Sequence, residues 1–230
     1  MSSRLKDYTI EGTVDWGNRR VVQILEAAGR CFARSGYAET SIKDIATKVG
    51  VTKSMVHYYF TSKAHLMLEV LSFANQRHLQ RVTQRLQVTG DSPLERAREA
   101  LKSLWKTVRE QRRFLRLTIE FWAVAARYPK LRQRLRETHA ASRQLVAVGI
   151  EDALGPQAPD LPFSLDALSG LILAVVHGLA VQDFAEPDGV DVDEAFRIFL
   201  VALLNGMHSL GLREAKNVTA AAPAGSTESQ

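Results

Sequence analysis

Apolar residues along this chain recur at three- and four-residue spacing almost from end to end, the period of amphipathic helices rather than strands. Residues 1–17 show no sustained period and read as a flexible arm. Ile24, Leu25, Ala28, Cys31 and Phe32 then mark a helix from about Arg19 to Ser35, ended by Ser35-Gly36. Ile42, Ile45, Ala46 and Val49 form the stripe of a short helix. Ser41 can cap it, and Asp44 three residues on completes a capping-box pattern. Gly50 supplies a tight turn, because a residue without Cβ takes positive φ cheaply. Thr52 caps another short helix with Val56, Tyr59 and Phe60 facing inward. Thr61-Ser62-Lys63 opens a long helix to about Leu86, carrying Leu66, Leu68, Val70, Leu71, Phe73 and Leu79. Gly90-Asp91-Ser92-Pro93 interrupts the pattern, and helices follow at about 93–110, 112–127 and 129–154, divided at Tyr128-Pro129 and ended by Gly155-Pro156 and the Pro159–Pro162 loop. Two more helices, at about 164–184 and 191–212, are separated by Glu186-Pro187-Asp188-Gly189. The pattern predicts an all-α protein of about nine helices, with no repeat and no strand. It divides into a flexible arm (1–18), a helix-turn-helix domain (19–66), a larger helical domain (67–212) and a disordered tail (213–230).

The two short helices and their turn form a helix-turn-helix, and the outward face of the second carries Lys53, Ser54, Met55, His57 and Tyr58. A cation, a hydroxyl and aromatic groups on one short exposed helix suit the major groove and its bordering phosphates. Charge agrees with this reading. The net +5 of the chain resides in residues 19–63, where eight basic groups face Glu26, Glu39 and Asp44; residues 64–230 are nearly balanced. The single cysteine, Cys31, excludes an intramolecular disulfide and lies in an apolar helical run, so it reads as a buried structural thiol rather than a redox sensor. No basic-then-apolar leader opens the chain, and the longest uncharged apolar stretch, Ala167 to Gln182, falls short of the ~20 residues that a bilayer needs. A cytoplasmic protein without a membrane span is expected.

The helix at 164–184 is apolar nearly all round, and the last helix is similar, so each needs cover on two sides. A two-fold four-helix interface between identical subunits supplies it, with Leu168, Leu171, Ile172, Val175, Leu200, Leu203, Leu204 and Met207 as candidate contacts. Trp105, Phe114, Phe121, Trp122, His177 and Phe184 are candidates to line a pocket, with Glu120, Gln182 or His177 as polar anchors; residues of each of these kinds are more often plain core. Residues 96–143 hold 14 basic and 4 acidic groups, whereas 151–194 hold ten acidic groups and no Lys or Arg. Either these faces attract one another within the domain, or Arg112, Arg113 or Arg116 draws an anionic effector. No phosphate-cradling Gly-rich loop, His-Glu-x-x-His, Gly-x-Ser-x-Gly or ligand-spaced Cys/His cluster occurs, so neither an enzyme nor a cofactor is expected. A helical interaction protein without operator binding is the alternative reading.

Ile24-Leu25-Glu26-Ala27-Ala28, Phe32-Ala33, Gly36-Tyr37, Thr40-Ser41-Ile42, Ile45-Ala46, Gly50-Val51-Thr52, Tyr59-Phe60-Thr61-Ser62-Lys63 and Leu66 together resemble the tetracycline-repressor (TetR) type bacterial regulators over about residues 20–68. Phe121-Trp122-Ala123 and Val176-His177-Gly178-Leu179-Ala180-Val181-Gln182 are similar to one of that family's regulatory-domain subtypes. The resemblance implies a homodimer on a palindromic double-stranded operator, usually a repressor, released when a small molecule enters the C-terminal domain. It also implies phosphate contacts from Thr40, Ser41, Thr52, His57, Tyr58 and Lys63. Lys53, Ser54 and Met55 are then the residues placed to read base edges, with Lys43 a further candidate. Two positions depart from the family pattern. His57 stands where Tyr is usual, and Ala64 stands where a Glu often completes the fourth helix's capping box.

Overall fold

The computed structural model describes residues 14–86, 88–155 and 161–210. Within them the chain forms no strand and nine α-helices: α1 (Arg19–Glu39), α2 (Ile42–Val49), α3 (Lys53–Tyr59), α4 (Lys63–Arg85), α5 (Pro93–Arg109), α6 (Arg112–Ala125), α7 (Pro129–Leu154), α8 (Leu165–Ala185) and α9 (Val192–Ser209). The expected caps set most of these ends. Ser41 Oγ accepts from the Asp44 amide at 3.1 Å while Asp44 Oδ2 accepts from the Ser41 amide at 2.9 Å, closing the capping box of α2. Gly50 ends α2 in the left-handed region at φ 73°.

Three local features differ from the sequence reading. α1 does not stop at Ser35-Gly36: Gly36 breaks the helical backbone at φ 78°, ψ 165°, and a further turn runs to Glu39. That turn is held from outside, since the Tyr37 amide donates to Glu120 of α6. At the start of α4, Ser62 Oγ accepts from the His65 amide at 3.0 Å, and His65 Nδ1 accepts from the Thr61 amide at 3.2 Å. An imidazole reaching back thus replaces the carboxylate that Ala64 removes. The arm is not flexible throughout. Trp16 lies edge-on to Phe73 at 5.7 Å, and its indole N–H donates to the buried carboxylate of Glu69 at 3.2 Å. One aromatic side chain docked on the flank of α4 leaves no periodic signal. Residues 1–13, the first half of the Pro159–Pro162 loop and the expected tail lie outside the described residues.

Two apolar cores form, and helices run through both. Val21, Ile24, Phe32, Ile45, Val56, Phe60, Leu66 and Val70 build the N-terminal core, which α6 and α7 complete with Leu117, Phe121, Val124, Ala125 and Leu131. The second core joins Leu79 and Val82 of α4 to Leu104, Trp105, Leu145, Ile172, Phe196 and Leu204. The boundary expected at 66/67 therefore falls inside α4. Cys31 is buried.

The polar core residue His78 stacks on Phe114 at 4.2 Å and meets Gln111 Oε1 at 3.1 Å. Burial pushes its pKa down from 6.5 to about 4. Its folded pKa lies below the unfolded value, so the unfolded chain binds more protons between those limits. Stability is thus lost as pH falls through that window, by about 2 kcal/mol from this residue between pH 7 and 5. Urea midpoints at the two pH values should differ less in His78→Gln than in the parent. Phe121→Ala should cost about 3–5 kcal/mol, with circular dichroism and tryptophan fluorescence reporting one shared transition, because α6 closes the N-terminal core.

Candidate nucleic-acid interface and ligand cavity

α3 is only seven residues long and cannot stand alone; Val56 and Phe60, both fully buried, pin it to the core. Everything on its other side faces solvent. Lys53, Ser54, Met55, His57 and Tyr58 are all exposed, Tyr58 to 82%. Tyr58 is steered by Tyr59, whose ring meets it edge-on at 4.9 Å. Thr52 Oγ1 caps α3 by accepting from the Met55 amide at 3.2 Å, which leaves its hydroxyl proton able to donate. Lys43 is exposed on α2.

Other residues expected at phosphates are placed differently. Thr40 is buried, and its hydroxyl donates to the Gly36 carbonyl at 2.8 Å, where it braces the kinked end of α1 rather than facing solvent. Ser41 is exposed, but both its amide and its hydroxyl donate to Asp44 Oδ2, so a phosphate would compete with the capping box. These hydrogen bonds hold the Asp44 carboxyl below its usual range. Lys63 Nζ donates to the Ala38 carbonyl at 3.1 Å and sits 4.4 Å from the Tyr37 ring centroid, parked beside the same turn. Its remaining N–H bonds can still reach a phosphate.

The eight aromatic and polar candidates for a ligand pocket do not converge, and Gln182 lies exposed on α8 outside any shared cavity. Trp105 stacks on Phe196 at 5.1 Å and donates to Asp193 at 2.8 Å, bonding α5 to α9. Phe114 covers His78, Glu120 holds the Tyr37 amide, and Phe121 fills the N-terminal core. Phe184 lies at the surface under Arg116, 5.3 Å from its ring centroid. Only Trp122 and His177 meet, in an open cavity of about 440 Å³ between α6, α7 and α8. His139, Arg143, Gly170, Leu173, Ala174, Gly178 and Val181 complete it. Consecutive residues of α6 face opposite ways there, Phe121 into the core and Trp122 into the cavity. His139 and Arg143 belong to α7, whose many charges hide the face that they share.

The Trp122 indole N–H is buried without a hydrogen-bond partner among the described residues, a state that costs about 1–3 kcal/mol. His139 stacks against Trp122 at 6.1 Å and meets His177 edge-on at 6.4 Å. Burial lowers the pKa of both imidazoles, that of His177 to about 4, so each offers one donor and one acceptor at neutral pH. Arg143 pairs with Asp166 at 2.8 Å. A second, wholly apolar space of about 40 Å³ lies in the larger core, too small and too featureless to orient a ligand.

The candidate partner-facing residues also divide. Leu168, Ile172, Leu200, Leu204 and Met207 point into their own core. Leu171 is exposed, and Val175 and Leu203 are half-buried. The outward face is completed by Ala174, Gly178, Ile198, Val201 and Ala202. α8 spans 21 residues and holds an 18-residue window of mean hydropathy 1.6, long and apolar enough by length and composition to cross a bilayer, because the helix extends past the Asp166 and Asp183 charges that bounded the sequence estimate; one side of it packs into the larger core through Leu168, Ile172, Val176 and Ala180.

Similarity to known proteins follows the same division of the molecule. Residues 24–70 match the family described as bacterial regulatory proteins, tetR family, and residues 93–219 match the BetI-type transcriptional repressor C-terminal domain. The HTH-type regulator YuxN of Bacillus subtilis is 30% identical over 97 residues, 42% of this chain and 33% of YuxN. The HTH-type regulator AcrR of Shigella flexneri is 37% identical over 101 residues, 43% of this chain and 46% of AcrR. The chain thus spans a third to under a half of the length of these curated relatives. A transcriptional regulator from Saccharomonospora viridis, solved in complex with choline, superposes with a TM-score of 0.65 at 26% identity, over 80% of this chain and 95% of that one. Because the C-terminal match alone covers more than half of the chain and the N-terminal match covers the helix-turn-helix, the protein belongs to the tetR family of bacterial regulatory proteins.

Proposed function

We propose that this protein is a cytoplasmic homodimeric repressor that grips a palindromic operator with α3 and lets go when a small molecule enters the Trp122 cavity. One observation carries the DNA reading: the five outward residues of α3 are left in water while Val56 and Phe60 fasten the helix from behind. Met55 and Tyr58 would be poor surface residues without a partner; thymine methyl groups and phosphates give them one. Lys53 and Ser54 sit at the start of the helix, where base edges come within reach. Thr52, His57, Tyr58 and Lys63 hold the backbone, and Lys43 adds charge.

Two reading heads need a dimer, and α8 and α9 offer the surface. Ile198 is 65% exposed and Val201 58%, beside Leu171, Ala174 and Gly178. Small residues between branched ones let helices approach closely, as a second copy's α8 and α9 would. The face continues to the rim of the Trp122 cavity, since Ala174 and Gly178 also line it. The unpartnered indole N–H calls for a ligand with a hydrogen-bond acceptor. The choline-bound relative supports a small-molecule site in this fold. Here, however, Arg143 and, among the described residues, no carboxylate lines the cavity, so a neutral or anionic effector suits it better than a quaternary ammonium.

Lys63→Ala should weaken binding to every duplex and lower the salt slope by about 0.9, whereas Lys53→Ala should relax preference at one base pair by about 1–3 kcal/mol. Mobility shifts on genomic fragments over a salt series read both, and unchanged affinity in both variants sinks the docking. Ile198→Asp combined with Val201→Asp should turn a dimer into a monomer in sedimentation velocity. A monomeric parent, or a parent that floats with liposomes, would rule out this interface.

A further inference from the structure

A second open cleft, of about 350 Å³, lies between α1, the end of α2 and the first turn of α6. Its walls are Arg30 and Arg34 from α1, Lys48 from α2, and Arg112, Arg113 and Arg116 from α6; among the described residues Ala33 is the one uncharged residue lining it, and no carboxylate does. Neighbours offset part of this charge. Arg112 pairs with Asp183 at 3.0 Å, Arg30 reaches Glu26 at 3.9 Å, and Arg116 covers Phe184. Arg34, Lys48 and Arg113 have no ion-pair partner among the described residues.

Backbone polarity adds to the same side. Gln111 stands at the N-cap of α6 without a side-chain cap, because its amide group is engaged elsewhere: Nε2 donates to the Thr107 carbonyl and Oε1 meets His78. The positive end of α6 therefore carries no local acceptor beside Arg112 and Arg113. Six like charges around one hollow repel one another, and α1 and α6 are held against that repulsion by the apolar contacts of Leu117 and Phe121 beneath. A compact polyanion would relieve it. Guanidinium forks match phosphate oxygens in pairs, and the cleft has room for more phosphate than a single ion supplies.

None of the ten residues expected at DNA from the sequence lines this cleft, and it shares no residue with the Trp122 cavity. Lys48 lies at the opposite end of α2 from the Ser41 cap. We propose that the cleft is a separate binding site for a small ligand carrying two or more linked phosphate groups. Its walls come from the DNA-reading half and from α6, so an occupant ties one to the other.

The test is isothermal titration of the full chain with inorganic tripolyphosphate and, separately, orthophosphate at fixed ionic strength. Tripolyphosphate should saturate one site per chain and bind at least about tenfold more tightly than orthophosphate. The double variant R34Q/R113Q should lose about tenfold or more of that affinity, while Trp122→Phe should keep it. The same double variant should retain genomic DNA fragments with unchanged affinity and salt slope. Its unfolding temperature should not fall, since removing like charges relieves repulsion and shows that any loss of binding is not loss of fold. Absence of saturable heat, equal affinity for the two anions, or undiminished binding in the double variant overturns the site. A reduced DNA salt slope in that variant also overturns it, because the arginines would then belong to the DNA contact.

Discussion

Phe121 sits at the middle of a core that its own half of the protein does not build. α2 and α3, eight and seven residues long, cannot persist as isolated helices, and α1 with α4 covers only part of their inward faces. Leu117, Phe121, Val124 and Ala125 of α6 close the remainder. The neighbouring residues of the same turn have separate tasks. Glu120 accepts the Tyr37 amide at the kinked end of α1, where Gly36 takes a φ that suits glycine and a Cβ would stand 3.4 Å from the carboxylate. Trp122 faces the cavity that it shares with His139 and His177. Displacement of its ring would press on the turn that fills the N-terminal core and fastens the end of α1.

Charge in the C-terminal half follows from the two blocks of opposite sign. Arg109 and Arg112 from α5 and α6 converge on Asp183 of α8, Arg109 also bonds Asp193, and Arg143 of α7 takes Asp166. These pairs connect different helices and are partly exposed, so each adds little stability. They act more on helix register than on the total. The pairing is incomplete, and Arg113 and Arg116, which take no acidic partner among the described residues, help to line the basic cleft beside α1.

Polar atoms without partners point the same way. Apolar surfaces in a well-packed protein tolerate approximate fit, but a buried N–H without an acceptor is a standing penalty, as at Trp122 Nε1. The exposed branched residues of α9 are the apolar counterpart: Ile198 and Val201 lie on the side of the helix that its own core does not use.

Local chemistry along the chain was sufficient for the helices, their order and most of their ends. The Ser41–Asp44 box, the Gly50 turn, the Thr52 cap and Pro93 and Pro129 at first turns act over a few residues, and no distant contact is needed to read them. The exposed face of α3 was legible for the same reason, since burial of Val56 and Phe60 settles which side remains. Tertiary structure alone decided which of two apolar sides of α8 and α9 turned inward, because periodicity cannot rank two equally apolar faces. It also decided that Trp105 and Phe121 are core while Trp122 lines a cavity with His139 and Arg143, and that Thr40's hydroxyl braces Gly36. Those outcomes depend on contacts between residues far apart in sequence, and helical spacing holds no information about which helix will lie opposite.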